Sequence, residues 1–280
     1  MFGCARILCK WIGRSIAASL VGKQRTMGEV AHLKGERCKV PMIIHQTWKT
    51  AEIPAHWQAS IDSIKKHMPD WELRLTTDED NRAFVAEHYP WFLSTYDALP
   101  YPIMRADAVR YCLLHKYGGL YLDLDIELTG SLEGLFIDGE LFLAQSGNCS
   151  VYLTNSIMAS VSGHEFWIGL LKEMIKGPPV WSTLLKHLHV MAGSGPYLVD
   201  QVAKSGEYSY VLLPPELVSA YSLCDDGRVD KGAYTRPLSG GSSWASIDTL
   251  VLNTVYCQWP VLVLLGLALL MLLIWCYAFG

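Results

Sequence analysis

The sequence predicts an α/β domain built on a mostly parallel sheet. Three observations carry this. Apolar runs of strand length alternate with helix-like segments through the middle of the chain. One helix-like segment stops at Gly118-Gly119 and runs straight into a strand-like stretch, "LYLDLDIEL". The chain has 280 residues and 51% hydrophobic composition, enough for one good-sized domain with apolar mass left over.

The elements follow in chain order. "PMIIHQTW", Pro41 to Trp48, reads as a short buried strand ending in a loop. "DWELRLTTDED" alternates, with Trp71, Leu73 and Leu75 inward and Glu72 and Arg74 outward. Asp78 then reads as the N-cap of a helix that Pro90 stops. "YPIMRADAVRYCLLHKYGG" reads as a helix with a glycine stop at Gly118. "ELFLAQ", "CSVYLTNSIMAS" and "YSYVLLPPEL" read as further strands. Residues 164–176 and 181–191 read as helices. In open sheets of this kind, ligands bind beyond the carboxyl ends of the strands.

Charge and cysteine usage exclude some functions. The formal net charge is -4, without the basic excess of a nucleic-acid binder. The eight cysteines show no C-x-x-C spacing, so buried thiols with at most one or two disulfides are expected rather than a zinc or redox site. Asn148-Cys149-Ser150 matches the N-glycosylation pattern, which matters only in a secretory lumen.

The stretch Tyr117 to Gly130, "YGGLYLDLDIELTG", poses the functional question. Read as a continuous strand, Leu120, Leu122, Leu124 and Ile126 share one face, and Tyr121, Asp123, Asp125 and Glu127 share the other. Carboxylates at i and i+2 on a strand stand about 7 Å apart and point the same way. Such a pair can converge on one hard cation, and Mg²⁺ or Mn²⁺ accepts oxygen ligands together with water and substrate phosphates. The cation removes the repulsion. In the preceding helix Asp107 and Arg110 stand at i, i+3 on one face. They could be a solvated surface pair; equally, a fixed Arg suits a phosphate and an Asp suits a sugar hydroxyl.

"YPIMRADAVRYCLLHKYGGLYLDLDIEL" resembles the signature of the DXD-containing sugar transferases of glycosyltransferase family 32, and within them the inositol-phosphoceramide mannosyltransferases. "VPMIIHQTWKTAEIPAHW" is similar to the family's opening strand. "TNSIMAS", "GSGPYLV" and "GGSSW" resemble later segments. The likeness runs from about Val40 to Asp248.

The resemblance implies a GT-A-like fold over 39–250 and a nucleotide-sugar donor, GDP-mannose before a UDP-sugar, held by Mn²⁺ or Mg²⁺. Asp123 and Asp125 would bind the metal and the donor. Asp107 and Arg110 would contact the donor sugar and phosphate. Trp48 would stack on the base, Asn155 would lie near the transferred sugar or the acceptor, and Ser243 and Trp244 would close over the diphosphate. It further implies retaining transfer, a lipid or glycan acceptor, a secretory-pathway membrane such as the Golgi, and room for a regulatory membrane subunit. One departure stands out: Ala245 follows Trp244 where related sequences often carry a His. Glu127 and His45 are the conceivable replacements in the metal shell.

The ends of the chain differ from its body. No charged residue follows Asp248, and "WPVLVLLGLALLMLLIWCYAFG" from Trp259 is long enough for one membrane-spanning helix, assigned to 257–280. Residues 1–38 form a basic leader in which Arg6, Lys10 and Arg14 share a helical face; it reads as an interfacial helix, a weak signal segment or a disordered leader.

Two rivals remain at this point. A phosphatase with an aspartyl nucleophile also uses D-x-D, but here Ile126-Glu127 follow it and Arg110 has no role there. A non-catalytic relative would explain Ala245.

Overall fold

The computed structural model describes residues 23–24, 38–146, 153–219, 233–238 and 247–252, with isolated positions 254, 263 and 271. Its centre is a seven-stranded sheet in the order β1-β8-β6-β7-β4-β2-β3. The strands are β1 (Lys23–Gln24), β2 (Ile43–Thr47), β3 (Glu72–Thr76), β4 (Gly119–Leu122), β6 (Leu141–Gln145), β7 (Leu153–Ser160) and β8 (Val211–Leu213). All neighbours pair parallel except β7, which runs antiparallel to both β4 and β6. A separate ribbon pairs β5 (Ile126–Leu128) with β9 (Thr235–Pro237).

Among the described residues these helices accompany the sheet: α1 (Gln58–His67), α2 (Asp78–His88), α3 (Pro90–Ala98), α4 (Pro102–Tyr117), α5 (Glu165–Lys176), α6 (Lys186–Gly193) and α7 (Pro196–Lys204). They cover the sheet on both sides. Tyr121, Leu143, Met158 and Leu212 pack against a core with Tyr111, Phe166, Trp167 and Val199 from α4, α5 and α7. Ile44, Leu120, Leu122 and Phe142, on the opposite face, meet Ile64, Phe136 and Leu217.

The predicted strands and most of the predicted helices are present. Four local readings are corrected. Residues 181–191 are not one helix: a 3-10 turn at Val180–Leu184 is followed by extended Leu185, and α6 starts only at Lys186. The "LYLDLDIEL" stretch is two strands in different sheets rather than one. The chain leaves β4 at Leu122 and turns through Asp123-Leu124-Asp125, with Ile126 N donating to the Asp123 carbonyl at 3.2 Å. Aspartate is poor in strands and good in turns, and that local preference wins over the alternation of the leucines. The N-cap of α2 is Thr77, not Asp78. Its Oγ1 accepts from Asp80 N at 3.2 Å, while Thr77 N donates to Asp80 Oδ2 at 2.9 Å. Pro90 does more than stop α2, since it occupies the first position of α3.

The junction between α4 and β4 admits only glycine. Gly118 sits at φ 66° and Gly119 at φ 94°, and a Cβ on Gly119 would collide with the Ile43 carbonyl of neighbouring β2. This close approach fixes where β4 starts and hence where the aspartate turn ends up.

The leader 1–38 lies outside the described residues apart from 23–24 and Cys38, and the 257–280 segment lies outside apart from Val263 and Met271. Among the described residues no helix is long and apolar enough to cross a membrane. Ser243, Trp244, Ala245 and the Asn148 glycosylation pattern are likewise outside them. Cys112 is buried and Cys38 half-buried, both as free thiols.

Candidate functional site

The carboxyl ends of β2, β3 and β4 open onto a pocket of about 300 Å³. Thr47, Trp48 and Lys49 come from the end of β2, Asp78 follows β3, and Asp123, Leu124 and Asp125 follow β4. The opposite wall is the first half of α4, with Tyr101, Ala106 and Arg110, joined by Trp57 and by Lys186 of α6. A parallel sheet delivers these residues to one edge because all three strands run the same way.

Behind that wall lies a buried polar network. Arg110 and Asp107 are each 3% exposed, and Arg110 Nη2 meets Asp107 Oδ1 at 3.1 Å. Arg110 Nη1 donates to the Asn155 carbonyl at 2.7 Å and pairs with Asp123 Oδ1 at 3.2 Å. Asp107 also accepts from Asn155 Nδ2 at 2.8 Å and from Ser194 Oγ at 2.6 Å. Tyr111 Oη donates to the Ser194 carbonyl. The Tyr121 ring lies 4.5 Å beneath the Arg110 guanidinium, and its hydroxyl donates to Asp123 Oδ1 at 2.9 Å. Burial works against the Arg110 charge, but Asp123, Tyr121 and Asp107 together hold it more firmly protonated than usual. Burial pushes Asp107 upward, opposed by Arg110 and by the Ser194 and Asn155 hydrogen bonds.

The two turn aspartates differ. Asp123 keeps 29% of its side chain exposed and is held by Arg110 and Tyr121. Burial raises its pKa and Arg110 resists the rise. Asp125 makes no ion pair among the described residues. Its main chain is fixed, with Leu238 N donating to its carbonyl at 2.6 Å. Burial first, and then the charge of Asp123, push its carboxyl up to about 7.

This donor set fits a hard divalent cation. Two carboxylates share one turn at the pocket mouth, and their mutual repulsion is what a cation would relieve. Mg²⁺ and Mn²⁺ also accept water and phosphate oxygens beside such carboxylates. Neither conceivable substitute for the absent His is placed for the role. Glu127 is paired with Arg236 across the β5–β9 ribbon. His45 is fully buried, with Nε2 at 2.9 Å from the Gly118 carbonyl at the far end of β4.

Of the residues singled out from sequence, Trp48, Arg110, Asp123 and Asp125 line the pocket. Asp107 and Asn155 stand behind it, where they hold Arg110 in place, and the first reading of the Asp107–Arg110 pair as solvated surface is excluded by its burial. Sequence reasoning missed Ser194, Tyr111, Tyr121 and Trp57. Tyr121 carried a signal, since it is two residues before Asp123. Ser194 lies inside the GSGPYLV segment noted above, but its partner could not be read, because it is 87 residues from the carboxylate it serves.

A family model described as a glycosyltransferase sugar-binding region containing a DXD motif matches residues 54–142. The chain carries a DXD glycosyltransferase region. That region spans α1 to β6 and includes Arg110, Asp123 and Asp125. The chain is 31% identical over 236 residues to inositol phosphoceramide mannosyltransferase 3 of Schizosaccharomyces pombe, covering 81% of this chain and 62% of that protein. It is 37% identical over 165 residues to mannosyl phosphorylinositol ceramide synthase SUR1 of Saccharomyces cerevisiae, covering 59% of this chain and 42% of that one. The match therefore spans less than two thirds of either relative. Among solved structures it is similar to the PaToxG glycosyltransferase, 14% identical, with a TM-score of 0.47 over 73% of this chain and 80% of that one. The fold stated above rests on the sheet topology and not on that likeness.

Proposed function

We propose that this chain is a membrane-anchored retaining mannosyltransferase that moves mannose from GDP-mannose to the headgroup of a sphingolipid such as inositol phosphorylceramide. The observation that carries the reading is the Asp123–Asp125 turn facing Arg110 across one pocket at the carboxyl edge of the sheet. The names of the relatives supply the sugar and the lipid, and the apolar segment 257–280 supplies the anchor.

In this reading Asp123 and Asp125 hold Mn²⁺ or Mg²⁺, which when bound neutralises the diphosphate. Trp48 stacks on the guanine, with Trp57 edge-on behind it at 4.8 Å between ring centroids. Arg110, immobilised by Asp107 and Asn155, faces the phosphate oxygen that gains charge as the anomeric C–O bond breaks. The acceptor hydroxyl forms the new bond on the same face, and its proton passes to the departing phosphate. Asn155 acts through Arg110, and Ser243 and Trp244 close over the diphosphate.

The test uses full-length protein in micelles with Mn²⁺, a panel of GDP- and UDP-sugars and inositol phosphorylceramide. Mannosylated lipid formed from GDP-mannose, and lost with chelator or with Asp125→Asn, is the expected result. Absence of both transfer and metal-dependent donor hydrolysis with every sugar would return the reading to a non-catalytic relative.

A further inference from the structure

The pocket borders a surface whose chemistry sugar transfer does not use. Between α5 and α6 the chain reads Gly177-Pro178-Pro179-Val180-Trp181-Ser182-Thr183-Leu184-Leu185. Val180–Leu184 form a 3-10 turn that presents hydrocarbon to solvent: Val180 is 85% exposed, Leu184 83% and Trp181 51%. Three polar groups within the turn are met internally. Ser182 N and Oγ reach the Pro179 carbonyl at 2.9 and 2.7 Å, and Thr183 Oγ1 donates to the Val180 carbonyl at 2.8 Å. Such groups need no water, which suits a turn that meets an apolar phase.

A second segment lies beside it. In the helix at 247–252, Ile247, Leu250 and Val251 fall at i, i+3 and i+4 and are exposed, while Thr249 is buried. The Asp248 carboxylate accepts from the backbone N of His187 at 2.8 Å, which fixes this helix beside the first turn of α6. Two apolar surfaces far apart in sequence therefore flank one hydrogen bond. Soluble surfaces rarely gather exposed aliphatic and Trp side chains in this way.

The course of the chain says what covers them. The last charged residue is Asp248 itself, and an apolar run begins at Trp259, within two helical turns of Leu252. A chain that enters a bilayer there lays this end of the domain against the headgroups, where Trp is favoured. Lys186, the residue after Leu185, lines the pocket. We infer that the 180–185 turn and the exposed face of the 247–251 helix form a ledge seated in the interfacial layer of a lipid bilayer, holding the pocket mouth at Lys186 over the lipid headgroups. The inference rests on the membrane-anchored reading above.

The test places the full-length chain in phosphatidylcholine–phosphatidylinositol vesicles containing a phospholipid with a photoreactive group near its glycerol. After irradiation, adducts are expected on 180–185 and 247–251 as well as on 259–280. Val180→Ser with Leu184→Ser should remove the first set. It should also raise the apparent KM for a bilayer-embedded acceptor roughly tenfold, leaving metal-dependent hydrolysis of free donor unchanged. Adducts confined to 259–280, or cross-links between two copies through Trp181 instead of lipid adducts, would overturn the ledge. Ledge adducts without sugar transfer would uphold it and reject the lipid acceptor. No adducts anywhere would reject the anchor and the ledge together.

Discussion

The back and the front of the pocket are built on opposite terms. Behind the wall, Asp107, Arg110, Asn155 and Ser194 answer one another's charges and hydrogen bonds without any ligand. At the front, Asp125 stands beside Asp123 with no ion pair among the described residues, and its carboxyl is pushed up to about 7. A satisfied network rigidifies; an uncompensated carboxylate stores a preference for a cation. The difference separates scaffold from chemistry, and it can be attacked from either side.

The largest effect should come from the back. Asp107→Ala leaves the Arg110 guanidinium buried with only Asp123 as counter-charge, which should cost about 3–5 kcal/mol of stability in denaturant unfolding. A variant that stays folded to the same midpoint would show the network to be dispensable.

Asp125→Asn should behave oppositely. It should lower transfer roughly 10²–10³-fold while making the metal-free protein more stable, by about 1–2 kcal/mol once solvent screening at the pocket mouth is allowed for. The sign follows from linkage. The folded pKa of about 7 lies above the ordinary value of 3.8, so the folded chain holds more protons between them. Stability from Asp125 is full below about 3.8 and lost as pH rises through about 7. The difference between wild type and Asp125→Asn should therefore widen from pH 4 to pH 7 and then level off. The thermal shift produced by Mn²⁺ should grow over the same window. A pH-independent difference would mean that Asp125 is already compensated.

Trp48→Ala tests the front without touching charge. Loss of base stacking, about 1–3 kcal/mol, should raise the donor KM and leave unfolding nearly unchanged. An unchanged KM would place the base elsewhere. The smallest effect is expected from Ser194→Ala, about 1–2 kcal/mol of stability from one hydrogen bond to a charged group, with donor KM held because Asn155 still supports Asp107. A large rise in KM would show that Arg110 is less firmly held than the geometry indicates.

Much of this was readable in the chain. The helix Pro102–Tyr117 announces itself by Pro at its first turn and glycine at its end, and the DXD and A-D-x-x-R spacings mark Asp123, Asp125 and Arg110, which line the pocket, and Asp107 behind it. These are local signals, in which neighbours along the chain decide the outcome. The two-residue alternation of the leucines misled for the same reason: β5 belongs to another sheet because of a partner, β9, more than 100 residues away.

What the sequence alone determined is the menu of elements and the residue types that bear chemistry, since propensity, capping and side-chain chemistry act within a few residues. Only the tertiary structure decided that Asp107 and Asn155 stand behind Arg110 rather than on the pocket lining, that Ser194 joins them, and that Asp125 has no ion pair among the described residues. Those outcomes depend on burial and on contacts between residues 45 to 87 positions apart, whose energies exist only after the sheet has brought them within hydrogen-bonding distance.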